Sequence, residues 1–253
     1  MHFLKLLKIE RIKCKRSKII PFIFIAPILV VSSGVANLSM YFTPEYTQAW
    51  PAMFIQSALL YAYYLLPFSM IVVCVMITGQ ENSHNGLLKM LALPVNRHTL
   101  SLAKFCILVF YLLMEILVFL AVFVIAGYIA VVTSGITETL PLSYLLKWCA
   151  GLFLTMLPSL SVMWMLTVLF EKPLLSVGLN LMLVIPGLLA GATPAWFLYP
   201  YCYSGYLVSR SLQAFTTEVT ADTALQLFPF IPCAVLIFTL ALFISASRFC
   251  KQT

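Results

Sequence analysis

Residues 105–132, FCILVFYLLMEILVFLAVFVIAGYIAVV, hold one charge in twenty-eight positions. A run this long and this apolar has few folded solutions. As a helix it is about 42 Å long, more than the roughly 30 Å of bilayer hydrocarbon. As strands it would have to alternate apolar and polar residues, and it does not. It is therefore read as a transmembrane helix that satisfies its own backbone hydrogen bonds. Five more runs share its character, giving expected spans at 19–42, 52–78, 105–133, 143–170, 174–196 and 227–249. With 9% charged residues the chain could not cover a water-facing surface. The expected fold is an all-α integral membrane protein of six helices, without internal repeats. Pro67, Pro158 and Pro186 fall inside spans and are expected to kink them.

Basic residues set the orientation. Lys5, Lys8, Arg11, Lys13, Lys15, Arg16 and Lys18 precede the first span. Lys89, Arg97, Lys104, Lys172, Arg248 and Lys251 fall on the same side, and only Lys147 and Arg210 fall opposite. The positive-inside rule makes both termini cytoplasmic. The basic lead is longer than the charged start of a cleaved signal peptide, so the first span is expected to stay. Residues 1–18 are read as an amphipathic helix on the inner leaflet. Phe3, Leu7 and Cys14 share its apolar face, Leu4 and Leu6 flank it, and Ile9 and Ile12 lie off it. Residues 19–249 form the membrane domain and 250–253 a cytoplasmic tail. The net charge of +7 fits orientation and anionic lipid; no nucleic-acid motif accompanies it.

Catalytic chemistry is not legible. The three histidines, His2, His84 and His98, have no carboxylate or histidine at metal-ligand spacing. HExxH, GxSxG and GxxxxGK[ST] are absent from the sequence, so nucleotide chemistry, if used, belongs to another polypeptide. The seven cysteines form no CxxC pair, and Cys74, Cys106, Cys149 and Cys233 read as small hydrophobes inside spans. One ionisable residue stands deep in a span. Glu115 is expected in its neutral form, as packing between helices, as lining of a substrate path or subunit interface, or as a proton relay. Across the membrane, Trp196, Tyr199, Tyr201, Tyr203 and Tyr206 fit an interfacial aromatic belt, or an outer-face contact for an amphipathic ligand.

The longest polar interruption is GQENSHNGLLKMLALPVNRHTLSLAK, residues 79–104. Leu87, Leu88, Met90 and Leu91 recur at helical spacing against Glu81, Asn82, Ser83, Asn85 and Lys89. Pro94 ends that helix, and Asn96 caps the one that passes through Lys104 into the third span. A plain connector needs no leucine face.

This stretch resembles the segment between spans two and three of ABC-2 type permeases, with matching positions at Glu81, Gly86, Leu93, Pro94, Val95, Arg97 and Lys104. Together with LLKIERIKCKRS near the N-terminus, it is similar more narrowly to lantibiotic-immunity permeases of the epidermin and mutacin type. The resemblance implies a permease paired with a second permease over two copies of a P-loop ATPase that holds the ATP and Mg²⁺. This chain itself would bind no cofactor or metal. It makes 80–92 a coupling helix seated on the ATPase, with Glu81, Asn82, Leu87, Lys89, Leu91, Pro94 and Arg97 as contact or positioning residues. The implied cargo is a cationic amphipathic peptide expelled from a bacterial plasma membrane. The alternatives are export of a drug, lipid or polysaccharide, or ion-driven transport. A single intramembrane carboxylate without inverted repeats counts against the last.

Overall fold

The computed structural model of the chain describes residues 3–15, 19–36, 49–82, 97–134, 142–170, 172–216 and 227–249. Every regular element among them is helical. α1 is Phe3–Lys15 and α2 is Ile19–Ala36. α3, Ala49–Leu60, continues through a π-helical turn at Tyr61–Leu65 into α4, Leu66–Asn82. α5 is Arg97–Ser134, α6 is Leu142–Leu169, and α7 is Pro173–Val184. A short α8, Gly187–Gly191, precedes two 3₁₀ turns, Trp196–Leu198 and Pro200–Cys202. α9, Tyr203–Thr216, and α10, Leu227–Phe249, follow.

Six helical stretches are long and apolar enough to cross a membrane: Ile19–Ala36, Gln56–Gly79, His98–Ala130, Leu142–Leu169, Pro173–Gly191 and Phe228–Arg248. They match the expected spans in number and order. α5 and α6 pack together at the centre, α2 and α10 lean on α5, and α4, α7, α9 and α10 lean on α6. The inward side chains include Leu108, Leu112, Phe119, Phe123, Leu152, Met156 and Trp164. Large apolar residues such as Phe24, Leu29, Met182, Leu189, Val235 and Phe243 are exposed on the outside, where lipid is the solvent. Close approach comes from small residues: a Cβ at Gly34 of α2 would collide with Ser57 of α3.

Two spans depart from the expectation. The second is not continuous α-helix. Leu66 N–H reaches back to Tyr61 O, the π register. That leaves the Ala62 carbonyl without its α partner, and Pro67, its π partner, has no N–H. Ser204 at the start of α9 fills the gap, donating from Oγ to Ala62 O at 2.8 Å. Beside it Tyr63 lies flat on Gly205, where a Cβ would collide with the ring.

The fifth span, expected over 174–196, breaks after Val184 because Pro186 cannot continue the ladder. It resumes as α8 and ends at Gly191. The chain then turns back, and Tyr201 O passes 3.2 Å from where a Gly187 Cβ would stand. Residues 192–195 of the turn are exposed, whereas Trp196, Tyr201 and Cys202 of the returning segment are buried against the bundle.

Candidate functional site

The expected coupling segment falls largely outside the described residues. Glu81 and Asn82 end α4 and Arg97 begins α5. Leu87, Lys89, Leu91 and Pro94, the helix over 80–92 and the Asn96 cap lie outside the described residues or extend beyond them. What is described is the frame: the connector leaves α4 and returns on α5, the helix at the centre of the bundle.

The base of α5 is tied to α1. Leu6, Glu10 and Cys14, four residues apart, share one face and turn it onto α5. Glu10 is 2% exposed and Lys104 is 1% exposed. Lys104 Nζ donates to Glu10 Oε2 at 3.2 Å, and Lys13 Nζ donates to Glu10 Oε1 at 2.7 Å. Burial pushes the Glu10 carboxyl up, but the Lys104 charge and the Lys13 contacts outweigh it and hold the group below the ordinary carboxylate range. The Cys14 thiol is pushed up by burial and by the Glu10 charge. Arg11 reaches past this face and lies 5.1 Å from the centre of the Phe110 ring.

Of the face expected to lie on the inner leaflet, Cys14 is turned into the bundle instead. Phe3 is exposed and Leu7 half-buried, while the buried stripe is Leu6, Glu10 and Cys14. Glu10 is a functional position that hydropathy and basic-residue patterning do not single out. The signal was a lone acid among seven basic residues, in helical register with Leu6 and Cys14.

Glu115 lies inside the bundle between α4 and α5, fully buried. Ser69 Oγ stands 2.5 Å from Glu115 Oε1 and donates to Leu66 O at 2.9 Å. A neutral carboxyl suits this set, giving its one proton to Ser69 while Ser69 gives its own to Leu66 O. Glu115 Oε2 and the Tyr61 hydroxyl are buried without a hydrogen-bond partner among the described residues. Tyr61 stacks on Phe119, one turn beyond Glu115, with ring centres 4.3 Å apart.

The four tyrosines do not form a belt in the structure. Tyr201, Tyr203 and Tyr206 are buried and Tyr199 is half-buried. Tyr199 donates to Leu183 O, one of the last carbonyls of α7, and Tyr203 donates to Phe197 O, both at 2.5 Å. Tyr201 donates to Asn180 Oδ1 at 2.9 Å. From there Asn180, Ser176 and Thr167 continue an internal polar line that ends on the Met163 carbonyl. Tyr206 stacks on Trp196 at 3.9 Å and accepts from Arg210 Nε at 2.8 Å. These rings hold the returning segment in place, since a buried hydroxyl that finds a partner avoids the cost of desolvation. Cys14 and Cys202, which the sequence places near polar segments, are buried too.

Among the described residues no group of three or more His, Cys, Asp or Glu could hold a metal ion. The architecture defines a multi-pass helical membrane protein. Residues 6–187 match the family described as ABC-2 family transporter protein, and the chain belongs to that family. It is the transmembrane subunit of an ABC transporter, associated with an ABC ATPase subunit and not itself catalytic. No curated protein and no solved structure matches it.

Proposed function

We propose that this chain is the permease of an ATP-driven exporter that expels a lantibiotic-type peptide from a bacterial plasma membrane, protecting the cell that makes it. The termini face the cytoplasm. Two ATPase copies, carrying ATP and Mg²⁺, sit beneath this chain and a second permease. Residues 80–92 dock on the ATPase through Glu81, Asn82, Leu87, Lys89 and Leu91, while Pro94 and Arg97 set the angle at which the connector enters α5.

The observation that supports this reading most is the buried Glu10–Lys104 pair, seven residues beyond the start of α5. A push delivered through the connector reaches a helix end fixed to α1, so α5 and α1 move as one body instead of bending at their junction. The peptide cargo rests on the resemblance of residues 4–18 and 79–104 to immunity permeases. The test uses cells expressing the chain with its ATPase and challenged with a cationic lantibiotic. Glu81→Ala or Leu91→Asp, inserted normally in the membrane, should lower tolerance about tenfold or more, as loss of a charge-assisted docking contact predicts. Full tolerance in both variants would reduce 80–92 to a connector. Tolerance unchanged on deleting the whole chain would remove the peptide cargo.

A further inference from the structure

α1 has a second apolar stripe that nothing among the described residues covers. Opposite Leu6, Glu10 and Cys14 run Lys5, Ile9 and Ile12, at the i, i+4, i+7 spacing of one helical face. Ile9 is 38% exposed and Ile12 51%. Lys8 and Arg11 flank the stripe, and with Lys5 they are exposed. Ile9 and Ile12, which lie off the face expected from the sequence, are thus outward, as Phe3 is.

The depth of the helix is set by its partners. Lys104 and Phe110 of α5 hold Glu10 and Arg11, and both belong to the membrane-crossing stretch His98–Ala130. α5 has 38 residues, about 57 Å of helix against about 30 Å of hydrocarbon, so one end or both must project. A charged pair near one end marks where hydrocarbon gives way to headgroups. α2 begins at Ile19, only a few residues after α1 ends, and Ile20 and Phe24 on it are exposed as well.

We propose that the outward stripe of α1 is a binding face for anionic phospholipid. Ile9 and Ile12 enter the acyl boundary, and Lys5 and Lys8 hold phosphate headgroups beside it. The aliphatic stems of the lysines let their ammonium groups rise to headgroup level while the isoleucines stay below. Charge complementarity selects the lipid: among the described side chains of α1, Lys5, Lys8 and Arg11 are exposed and no acid is. Each basic residue near an anionic surface favours it by about fivefold. The proposal does not depend on the cargo or on the ATPase.

The test is made on the full chain in vesicles of about three parts phosphatidylcholine to one part phosphatidylglycerol, a composition that leaves room for enrichment. Ile12→Trp and, separately, Ile9→Trp serve as reporters, read as difference spectra against the parent chain. Brominated acyl chains are placed on one lipid or the other. Both reporters should emit at blue-shifted wavelengths, and per molecule the brominated phosphatidylglycerol should quench at least about fivefold more than brominated phosphatidylcholine, the preference that one basic residue supplies. Adding Lys5→Gln and Lys8→Gln should remove most of that preference while leaving the blue shift. Equal quenching by the two lipids would overturn the anionic preference. Emission typical of water that shifts only when the ATPase subunit is added would make the stripe a protein-docking surface and overturn the proposal.

Discussion

Glu10 and Glu115 are both buried carboxylates on helices of one bundle, and they are held in opposite ways. Glu10 has two ammonium groups within hydrogen-bonding distance. Glu115 has a hydroxyl, and its second oxygen is unmatched. Glu10 sits where α1 meets the end of α5; Glu115 lies well inside the crossing stretch. The difference follows what each depth allows. Near the headgroups a carboxylate keeps its charge if cations close around it, and the pair becomes a fastener between elements. Deep in hydrocarbon no such shell exists, so the acid acts as a neutral hydrogen-bonding group.

The largest effect that tests this contrast is Lys104→Met. It leaves Glu10 buried with only the partly exposed Lys13, and breaking a buried pair from one side costs about 3–5 kcal/mol. α1 should come away from α5 and become open to trypsin in detergent-solubilised protein. Unchanged cleavage would reduce the pair to decoration.

Acid is the gentler route to the same end. Because the Glu10 carboxyl is held below its ordinary value, the stability it adds is present in full above the unfolded-state value. It fades as pH falls through the lower folded-state value. Trypsin is idle there, so pepsin cleavage followed from about pH 5 downward should show α1 loosening, and Glu10→Gln should flatten that profile. The Ser69–Glu115 contact needs no ion and should show no parallel loss.

Smaller again is Glu115→Leu. Ser69 keeps Leu66 O as its acceptor, so the loss is one intramembrane hydrogen bond, about 0.6–2 kcal/mol. A thermal shift of the solubilised chain should register it, while Glu115→Gln should stay near the parent. A loss as large as that of Lys104→Met would mean Glu115 carries charge after all. Least of all should be the double change Glu10→Leu with Lys104→Met, near zero or slightly stabilising, since apolar packing replaces a buried pair with little penalty. A large loss there would show that the pair adds more than its own desolvation.

The six crossings were legible because each is a long apolar run, and α10 occupies the stretch expected from sequence, 227–249. The matched family also agrees with the broad resemblance read from the polar connector. What hydropathy could not show is which apolar face meets protein and which meets lipid, since the two are equally apolar. That is why Ile9 and Ile12 were set aside and Leu6 was only a flank. The tyrosines misled for a related reason. A ring with one polar tip suits a headgroup, but it suits equally a carbonyl left over at a helix end, as Leu183 O shows. The break at Pro186 was legible; the return of the chain to Gly187 was not, because it depends on Asn180, a contact 21 residues away from Tyr201.

The π turn at Tyr61–Leu65 also bears on how this chain is compared with others. Up to the turn's first residue the buried positions include Phe54, Ala58 and Tyr61; after it they include Leu66, Met70, Val73 and Ile77. A regular α-helix continuing the first series would bury 65, 68, 72 and 76, which are only half-buried here. The turn is a one-residue frameshift in the helical pattern, absorbed without unwinding the span. A relative whose second span is plain α-helix therefore aligns correctly with this chain only through a single-residue gap in mid-membrane, where alignments are ordinarily kept ungapped. Without that gap, every position on one side of the turn is compared with a neighbour that faces another way.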